Sequence, residues 1–553
     1  MSVVRSEPQE SSFSEYDELP YDCLPFPQTH PARLAALALL FGLKPPAVET
    51  CRVLELGCAN GNNLIPMAAA LPGARFVGVD LSARQVAEGQ ALIAAAGLAN
   101  IELRHADIAS IGAQDGTFDY IVAHGVYSWV PPKVRDRVLA ICRANLAPNG
   151  VAYVSYNTLP GWASNGMIRD MMLYQARDID EPAARMRAGR GLLDFLAGAI
   201  PDTPYGTLAR EEIAFIQQQP DEYVAHDHMG ECNDPVYFHQ FAAHAAQHRL
   251  KYLSEAEFSV MGPGRLPPQT LAAMHKLAPD IVAFEQLTDI LRHRSFRQTL
   301  LVHDSVPIER RLGAHSIAPF EIASPVTVAP RNPAGRPDAP VVFVARNGKQ
   351  FGIGNALTRA ALLHLVERWP ESVRFAELFE AARAGLPPAP GVAGMQADGG
   401  RAALAVELLH LYAAGIAELR AWDPEPSATI SERPMVSSLA RLQARRGGEM
   451  TTLLHQPLRL DPVERALVPL LDGTRDLATL GAALAATGIA APRHGADRAP
   501  VRSEATETLR SALRRLAKAG ALMKVRWPER VARVATTVKS AFVLLLSLEF
   551  EQA

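Results

Sequence analysis

Short apolar segments that end near a polar residue recur through the first third of the chain. Four of them are separated by stretches long enough for a helix, and they are Arg52–Leu56, Phe76–Asp80, Ile101–Ile108 and Phe118–His124. Apolar runs of this length are typical of strands that are buried on both faces of a parallel sheet. Strand and helix patterns that alternate predict a doubly wound α/β domain.

A loop of small residues follows the first predicted strand. It runs from Gly57 to Gly61, and a helix pattern opens at Asn63. Ligands of doubly wound sheets bind against loops of this kind, beyond the carboxyl ends of the strands. The spacing is not the Gly-x-Gly-x-x-Gly of dinucleotide-binding proteins, and the absence of Gly-Lys-Ser/Thr excludes a nucleoside triphosphate loop. An ordinary tight turn has a similar composition, so the loop alone does not assign a ligand.

Acidic residues at the ends of the second and third predicted strands indicate the kind of ligand. Asp80 lies about 20 residues past Gly61, where a carboxylate accepts hydrogen bonds from both hydroxyls of a ribose. Asp107, at the end of the third segment, is placed to accept one from the amino group of an adenine. Because carboxylates repel phosphate, the pattern predicts a nucleoside ligand without phosphates.

The predicted sheet continues beyond the fourth strand. A fifth strand spans Gly150–Tyr156, a helical pattern covers residues 163–248, and two more strands span Lys251–Phe258 and Arg297–Val302. We expect the last two strands to close the sheet as an antiparallel pair. The fold class is therefore a Rossmann-like, seven-stranded α/β sheet with a helical insertion after its fifth strand.

One pattern of elements occurs twice after a stretch rich in proline and alanine at residues 325–340, which we interpret as a linker. The first copy spans Leu362–Leu419 and the second spans Val463–Val525. Each copy has a helix, a short helix, a long helix and an Ala-Gly pair before a short strand. This is the order of a winged-helix module. The sequence therefore predicts a duplicated winged-helix-like region at the C-terminal end.

These patterns together predict eight segments. They are a lead-in or lid at 1–45, a nucleoside-binding core at 46–162, the helical insertion at 163–248, the closing strands at 249–305, a linker at 306–345, two winged-helix-like modules at 346–425 and 426–535, and a tail at 536–553.

Composition and charge exclude several classes of protein. A net charge of −3 over 553 residues gives no general attraction to nucleic acid or to an anionic membrane. Five scattered cysteines indicate reduced thiols instead of a disulfide framework or a zinc site. We find no signal-peptide pattern, and the apolar run at 541–546 is far shorter than the ~20 residues of a membrane span. We expect a soluble, cytoplasmic protein.

No metal is expected from the histidines of the predicted insertion. His226 and His228 flank Asp227, and residues so close together do not share one face of a helix.

Aromatic and amide side chains follow the fourth and fifth predicted strands. They are His124, Tyr127, Trp129, Tyr156, Asn157 and Trp162. A lysine amine, whose unperturbed pKa is about 10.4, must lose its proton before it attacks an electrophile. A partly desolvated aromatic pocket lowers that pKa and holds a positively charged product. These residues are therefore suited to an amine nucleophile, although aromatic residues at strand ends also form plain apolar lips of clefts.

Prolines keep the lead-in before the first strand extended. It contains more polar and aromatic residues than a simple tether needs. Its polar and aromatic residues include Tyr16, Tyr21, Phe26, Thr29 and His30. Two interpretations are open, a lid that lies across the mouth of the ligand cleft and a tether that only docks on the domain.

The chain resembles the bacterial class I S-adenosylmethionine-dependent methyltransferases that carry a methyltransferase regulatory domain. The motifs that carry the resemblance are the lead-in from Tyr16 to Pro31, Glu55–Cys58, His124–Trp129, Ser155–Thr158 and Asn233–Phe238. Among these enzymes it is similar to the rickettsial-type protein lysine methyltransferases, which act on outer-membrane proteins and form dimers. The resemblance implies S-adenosylmethionine as cofactor, a protein substrate and a homodimer.

The resemblance also implies roles for individual residues. The cofactor would contact Glu55, Gly57, Ala59, Gly61, Asp80, Leu81, Asp107, Ile108 and His124. Catalysis would involve Tyr127, Trp129, Tyr156 and Asn157, and the substrate would contact Tyr16, Tyr21, Thr29, His30 and Trp162. Ala59 stands where a glycine is usual, and its methyl group is tolerated if the backbone there has a negative φ.

Two other functions remain open at this point. One is a small-molecule N- or O-methyltransferase, which would not need the C-terminal modules. The other is a regulatory nucleic-acid-binding protein that uses the winged-helix pair, with Arg510, Arg514, Arg515 and Lys518 on one helix. A solvated helix face explains those charges equally well, so no nucleic-acid partner is expected.

Overall fold

The structure is a computed structural model that describes residues 23–261, 266–330, 341–386, 397–489 and 501–524. The chain divides into two compact units, Met1–Pro424 with Leu454–Pro457, and Glu425–Leu453 with Leu458–Ala553. Some predictions lie outside the described residues. These are the predictions for Tyr16 and Tyr21, for the tail at 536–553, and for residues 331–340 of the linker.

An eight-stranded mixed sheet forms the centre of the first unit. Its strands are β1 (Arg52–Leu56), β2 (Arg75–Asp80), β3 (Ile101–His105), β4 (Phe118–Ala123), β5 (Leu146–Leu159), β6 (Val236–Tyr237), β7 (Leu250–Glu255) and β8 (Phe296–His303). Seven of them follow the order β3-β2-β1-β4-β5-β8-β7. Strands β1 to β5 are parallel, and β8 is antiparallel to both β5 and β7. The predicted sheet with its antiparallel closing pair is confirmed.

The eighth strand, β6, was not predicted. Its two residues pair in parallel with the end of β5, Val236 beside Thr158 and Tyr237 beside Leu159. A strand of two residues shows no alternation in the sequence, and β5 itself extends further than the apolar run at Gly150–Tyr156 indicated.

Helices fill the connections of the first unit around this sheet. They are α1 (Pro31–Leu40), α2 (Leu64–Ala70), α3 (Ala83–Ala96), α4 (Pro132–Asn145), α5 (Trp162–Gln175), α6 (Pro182–Ala199), α7 (Pro204–Gln217), α8 (Asp221–Val224), α9 (Phe238–Gln247), α10 (Pro268–Leu277) and α11 (Ile281–Arg292). Local sequence fixes their ends. The Ser82 hydroxyl accepts the Gln85 N–H at the start of α3, and Gly97 ends that helix with a φ of 66°.

The helical insertion after β5 has an apolar core of its own. Helices α5 to α7 bury Ile168, Met172, Leu193 and Ile213 among one another. The chain then passes through a π-helical turn, Ala225–Met229, that directly follows α8. The insertion is therefore a packed helical subdomain, as the sequence predicted.

A buried charge cluster joins the closing strands to α11. Arg297 on β8 is almost fully inaccessible, and it forms ion pairs with Glu255 (2.6 Å), Asp289 (2.8 Å) and Glu285 (3.1 Å). Its guanidinium carbon also lies 3.8 Å from the ring centroid of Phe238. Such a cluster is stable only while every charge has its partner, because an isolated buried charge is strongly unfavourable.

The first C-terminal module is built on small sheets. Its elements are β9 (Glu321–Ala323), β10 (Thr327–Val328), β11 (Val342–Val344), β12 (Gln350–Gly352), α12 (Ala356–Arg368), β13 (Val373–Arg374), α13 (Phe375–Ala384), α14 (Ala397–Ala413) and β14 (Glu418–Arg420). Strand β9 pairs with both β13 and β14. The interpretation of residues 306–345 as a linker is therefore wrong at β9, β10 and β11, because strands this short show no period in the sequence.

The second unit repeats the succession of strand pair and three helices, and it has one additional helix, α15, before the strand pair. Its elements are α15 (Ser438–Arg446), β15 (Glu449–Thr451), β16 (Pro457–Arg459), α16 (Pro462–Leu467), α17 (Leu477–Ala486) and α18 (Val501–Lys518). Pro426 pairs with Met523 and Met435 pairs with Asp472. The segment before α15 thus pairs with residues that follow α16 and α18, as β9 pairs with β13 and β14. The predicted duplication is present in the order and pairing of the elements.

Within the part of the chain that the structure describes, no helix is long and apolar enough to span a membrane.

Replacing the buried arginine tests the charge cluster. Arg297→Met leaves three buried carboxylates without their shared partner, and we expect the free energy of unfolding to fall by ~3–5 kcal/mol. Arg84→Met is the control, because the Arg84–Glu88 pair is half exposed and surface pairs contribute at most ~1 kcal/mol. Denaturant unfolding followed by tryptophan fluorescence measures both, and equal small losses would contradict the account.

Candidate functional site

The loop after β1 brings bare backbone to the carboxyl edge of the sheet. Gly57 and Gly61 both have a φ of 74°, a conformation that favours glycine. A Cβ on Gly57 would lie 2.7 Å from a methyl carbon of Val126. The two positions therefore need glycine both for their backbone conformation and for space.

Ala59 between them has a backbone conformation that favours glycine. Its φ is 48°, so the condition of a negative φ, under which its methyl group is tolerated without strain, is not met. A non-glycine residue in the left-handed region costs about 1–2 kcal/mol. The Ala59 N–H donates to Asp80 Oδ2 at 2.8 Å, a contact that holds the loop in this conformation.

Asp80 at the end of β2 orders the loop edge with both carboxylate oxygens. Besides the Ala59 N–H, it accepts the Ser82 N–H on Oδ1 at 2.9 Å. Leu81, between them, is partly exposed. Asp80 therefore lies at the carboxyl edge of the sheet beside the loop, where its contact with the ribose hydroxyls stays a prediction.

The predicted adenine end of the site lies after β3. Asp107 is exposed, and its side chain accepts the Ala109 N–H at 2.7 Å. Ile108 beside it is buried. This arrangement offers an apolar surface next to a carboxylate, which suits an aromatic ring with an amino group.

A fully buried asparagine connects the loop to the lead-in. Asn63 donates to Glu55 Oε1 at 2.7 Å and to the Thr29 hydroxyl at 3.0 Å. Its Oδ1 accepts the Phe26 backbone N–H at 2.9 Å and the Nε2–H of His455 at 2.9 Å. Both donors and both lone pairs of the amide are thereby used, and we call this set the Asn63 hub.

Two polar residues of the lead-in, Thr29 of the hub and His30 beside it, lie inside the first unit. Thr29 is fully inaccessible, and His30 is buried with its Nδ1 accepting the Ala32 N–H at the start of α1. Burial lowers the pKa of His30 to about 4. Thr29 fixes the lead-in to Asn63, whereas His30 caps the start of α1, and the contact of both residues with substrate stays a prediction.

Glu55 is the carboxylic acid of the hub, and one of its two oxygens makes no hydrogen bond to the described residues. Burial raises its pKa to about 8, and Oε2 has no hydrogen-bond partner among the described residues. A buried carboxylate oxygen without a donor suits a cationic partner such as an ammonium group. Sequence reasoning placed Glu55 at the cofactor but not Asn63 or His455, and His455 follows Asn63 by 392 positions.

His124, after β4, lies among aromatic rings. Its Nδ1 is 2.9 Å from the Tyr153 hydroxyl, its ring centroid is 4.0 Å from that of Phe26, and Phe296 meets it edge-on at 6.2 Å. Burial lowers the pKa of His124 to about 4, so the ring is neutral at pH 7. Phe26, Tyr153 and Phe296 come from separate parts of the chain, so no sequence pattern groups them.

Two of the predicted catalytic residues lie in the hydrophobic core. The Tyr127 hydroxyl is 2.8 Å from His244 Nδ1, and the Tyr156 hydroxyl is 3.0 Å from Thr299 Oγ1. Phe241 stacks on Tyr156 at 4.1 Å and meets Tyr127 edge-on. In this structure α9 covers both rings through Phe241, and their catalytic role stays a prediction.

The other predicted residues lie nearer to the surface or in a polar chain. Trp129 is partly exposed. Asn157 is buried and donates to Asn233 Oδ1 at 3.0 Å. Trp162 is also buried, stacked on His228 at 6.3 Å. Of these three, Trp129 is the one free to meet a substrate in this conformation.

The site as built fits a nucleoside that carries a positive charge. The glycine positions give a ligand access to backbone, and Glu55 Oε2 has no donor among the described residues. Together with the neighbouring carboxylate of Asp80, these groups are compatible with the predicted contacts to the ribose and the ammonium of S-adenosylmethionine.

Three protein-family models match parts of the chain. A methyltransferase domain matches residues 53–150, a predicted methyltransferase regulatory domain matches 220–303, and the C-terminal winged helix domain of PKMT matches 432–521. With the sheet order and the loop described above, they define the class as a class I, S-adenosylmethionine-dependent methyltransferase.

Individual relatives show which methyltransferases the chain is similar to. The chain is 43% identical over 323 residues to the uncharacterized protein RP789 of Rickettsia prowazekii, covering 58% of each chain. It is 40% identical to RP028 of the same organism over 240 residues, which is 43% of this chain and 96% of that one. The structure of PKMT2 from Rickettsia typhi matches with 29% identity and a TM-score of 0.82, over 91% of this chain and all of that one. PKMT2 has also been solved in complex with AdoHcy.

The chain belongs to the rickettsial-type, PKMT-like family of class I methyltransferases. S-adenosylmethionine is accordingly its cofactor.

Removing the central amide tests the Asn63 hub. Asn63→Ala leaves buried groups of Glu55, Phe26 and His455 without their partner, so we expect the dissociation constant for AdoHcy to rise at least about tenfold, equivalent to 1.4 kcal/mol. Asn62→Ala, at the partly exposed neighbouring position, should stay within about twofold by the same arithmetic. Titration calorimetry measures both, and equal affinities in the two variants would contradict the role of the hub.

The raised pKa of Glu55 predicts a pH dependence of stability. Unfolding exposes the carboxyl to water, where its pKa is near 4.5, whereas the folded value is about 8. The folded state thus binds the proton more tightly, and this contribution to stability is lost as the pH rises from 4.5 to 8. We expect the melting temperature of the cofactor-free protein, relative to that of Glu55→Gln, to fall across this window. If the melting temperatures of the two proteins differ by the same amount at every pH, folding does not raise the pKa of Glu55.

Proposed function

We propose that this methyltransferase transfers the methyl group of S-adenosylmethionine to lysine side chains of proteins. The observation that carries the proposal is the likeness to PKMT2, which extends over the whole of that chain at 29% identity. PKMT abbreviates protein lysine methyltransferase. The matched winged-helix domain is also named after this enzyme, and it is more protein than a metabolite site requires.

The electrostatics around His124 support an amine nucleophile. When bound, S-adenosylmethionine supplies an electrophilic methyl group beside a positively charged sulfur. The imidazole of His124, whose pKa lies near 4, adds no positive charge that would repel an incoming amine. Aromatic faces of Phe26 and Phe296 next to it attract a cationic methylammonium product. A desolvated position also lowers the pKa of the lysine ammonium, which helps it to lose its proton.

The basic helix of the second unit gives little support to the nucleic-acid alternative. Arg514 pairs with Glu507 at 3.1 Å, and Arg515 forms hydrogen bonds and an ion pair with the buried carboxylate of Glu464. Both guanidinium charges are thus compensated within the unit, which weakens attraction to a phosphate backbone.

The dimer implied by the resemblance stays a prediction. Tyr174 on α5 and Phe195 on α6 are about two-thirds exposed, and the cleft between these helices is lined by Met167, Met171, Leu192 and Leu196. Exposed apolar side chains around a cleft support contact with a second copy. Sedimentation equilibrium decides the point, since a mass of 59.8 kDa instead of twice that value would exclude a stable dimer.

The proposed function is tested with methyl-labelled S-adenosylmethionine and whole-cell protein. We expect label in discrete protein bands that release methyl-lysine on acid hydrolysis, and no label with Asp80→Ala, which removes the ribose acceptor. Outer-membrane proteins are the first bands to identify, because the resemblance implies them as targets. Label confined to small molecules would replace the proposal by a metabolite methyltransferase.

Two aromatic substitutions test where the amine is held. Trp129→Ala and Phe296→Ala should each lower kcat/KM for protein methylation about tenfold, the size expected from a desolvated cation–π contact of ~1–2 kcal/mol. The affinity for AdoHcy should change less than about twofold. Phe215→Ala, a half-exposed phenylalanine of α7, is the matched control. If the control and both variants turn over alike, the amine is held elsewhere.

A further inference from the structure

A cluster of metal-ligand type lies outside the site described above. Asp136 on α4 is placed between His244 near the end of α9 and His248 just after it, and one ligand atom of each lies within 4.8 Å of the others. Asp136 Oδ1 is 2.7 Å from His248 Nε2 and 3.3 Å from His244 Nε2. We call this set the Asp136 triad.

The spacing of the triad matches a transition-metal site. Metal–nitrogen and metal–oxygen bonds of about 2.0–2.2 Å in tetrahedral geometry place neighbouring ligand atoms about 3.3–3.5 Å apart. The distance between Asp136 Oδ1 and His244 Nε2 already has this length. A small rotation of the exposed Asp136 side chain would lengthen the distance from Asp136 Oδ1 to His248 Nε2. His244 and His248 are four positions apart, so both can present a ring from one face of the helix.

The outer partner of one histidine has the arrangement found in metal sites. A ligating imidazole usually donates its other N–H to a fixed acceptor, and His244 Nδ1 is 2.8 Å from the hydroxyl of the buried Tyr127.

We propose that Asp136, His244 and His248 bind one divalent transition-metal cation of the Zn²⁺ type, with the remaining coordination position open to solvent. Two imidazoles and one carboxylate suit Zn²⁺ and its neighbours better than Mg²⁺ or Ca²⁺. The cation would link the end of α9 to α4. Because Nε2 of His244 would bind the cation, its Nδ1–H would be donated to the hydroxyl oxygen of Tyr127. The site is separate from the cofactor loop and does not depend on the identity of the methyl acceptor.

Calorimetric titration of the full chain with Zn²⁺, after treatment with a chelator, tests this proposal. We expect one equivalent to bind to the wild type and this binding step to disappear in His248→Ala and in Asp136→Asn. His239→Ala removes an exposed histidine of the same helix that lies outside the triad, and it should bind like the wild type. Asp136 is exposed, so we expect Asp136→Asn to keep the fold intact. It therefore tests the site even if His248→Ala disturbs the fold.

Tyr127→Phe distinguishes a coordinated His244 from one that only shares a proton with Asp136. Loss of the outer acceptor should weaken Zn²⁺ binding about tenfold or more without changing its stoichiometry. The proposal is overturned if the wild type shows no saturable binding. It is equally overturned if Asp136→Asn and His248→Ala bind Zn²⁺ as tightly as His239→Ala, because the three side chains would then only form hydrogen bonds.

Discussion

The cofactor site depends on one buried amide. Asn63 uses all four of its hydrogen-bonding positions, on Glu55, Thr29, Phe26 and His455. Glu55 ends the strand that leads into the glycine loop, whereas Phe26 and Thr29 belong to the lead-in. A buried amide whose donors and lone pairs are all used has few alternative arrangements of comparable energy. The loop, the lead-in and the segment around His455 therefore hold one another in place.

The same region is set up electrostatically for a cationic ligand. Burial holds the pKa of Glu55 near 8 and those of His30 and His124 near 4. The two histidines are consequently neutral at pH 7, and the carboxyl is largely protonated until a positive group approaches it. Such an environment favours a sulfonium cofactor, which a charged imidazole would repel, and it supports the amine substrate that we propose.

The sequence predicted the sheet well and the site in part, for physical reasons that differ. Buried parallel strands are continuous apolar runs, so β1 to β5 and the closing pair could be located, and Asp80 follows from the position of its strand end. Long-range packing could not be read in this way. Phe241 covers Tyr127 and Tyr156 from a helix more than 80 residues downstream, and His455 reaches Asn63 from still further along the chain. The sign of φ at Ala59 was left open by the sequence, and it is positive in the structure.

Hydrogen–deuterium exchange of the full chain, with and without AdoHcy, tests the central claim most directly. If the loop after β1 and the Asn63 hub form the cofactor site, AdoHcy slows exchange at residues 55–63 and 76–82 and at the lead-in around Phe26, and leaves α17 unchanged. Binding of AdoHcy without protection of the loop would contradict the account, since the ligand would then sit away from Glu55 and Asp80.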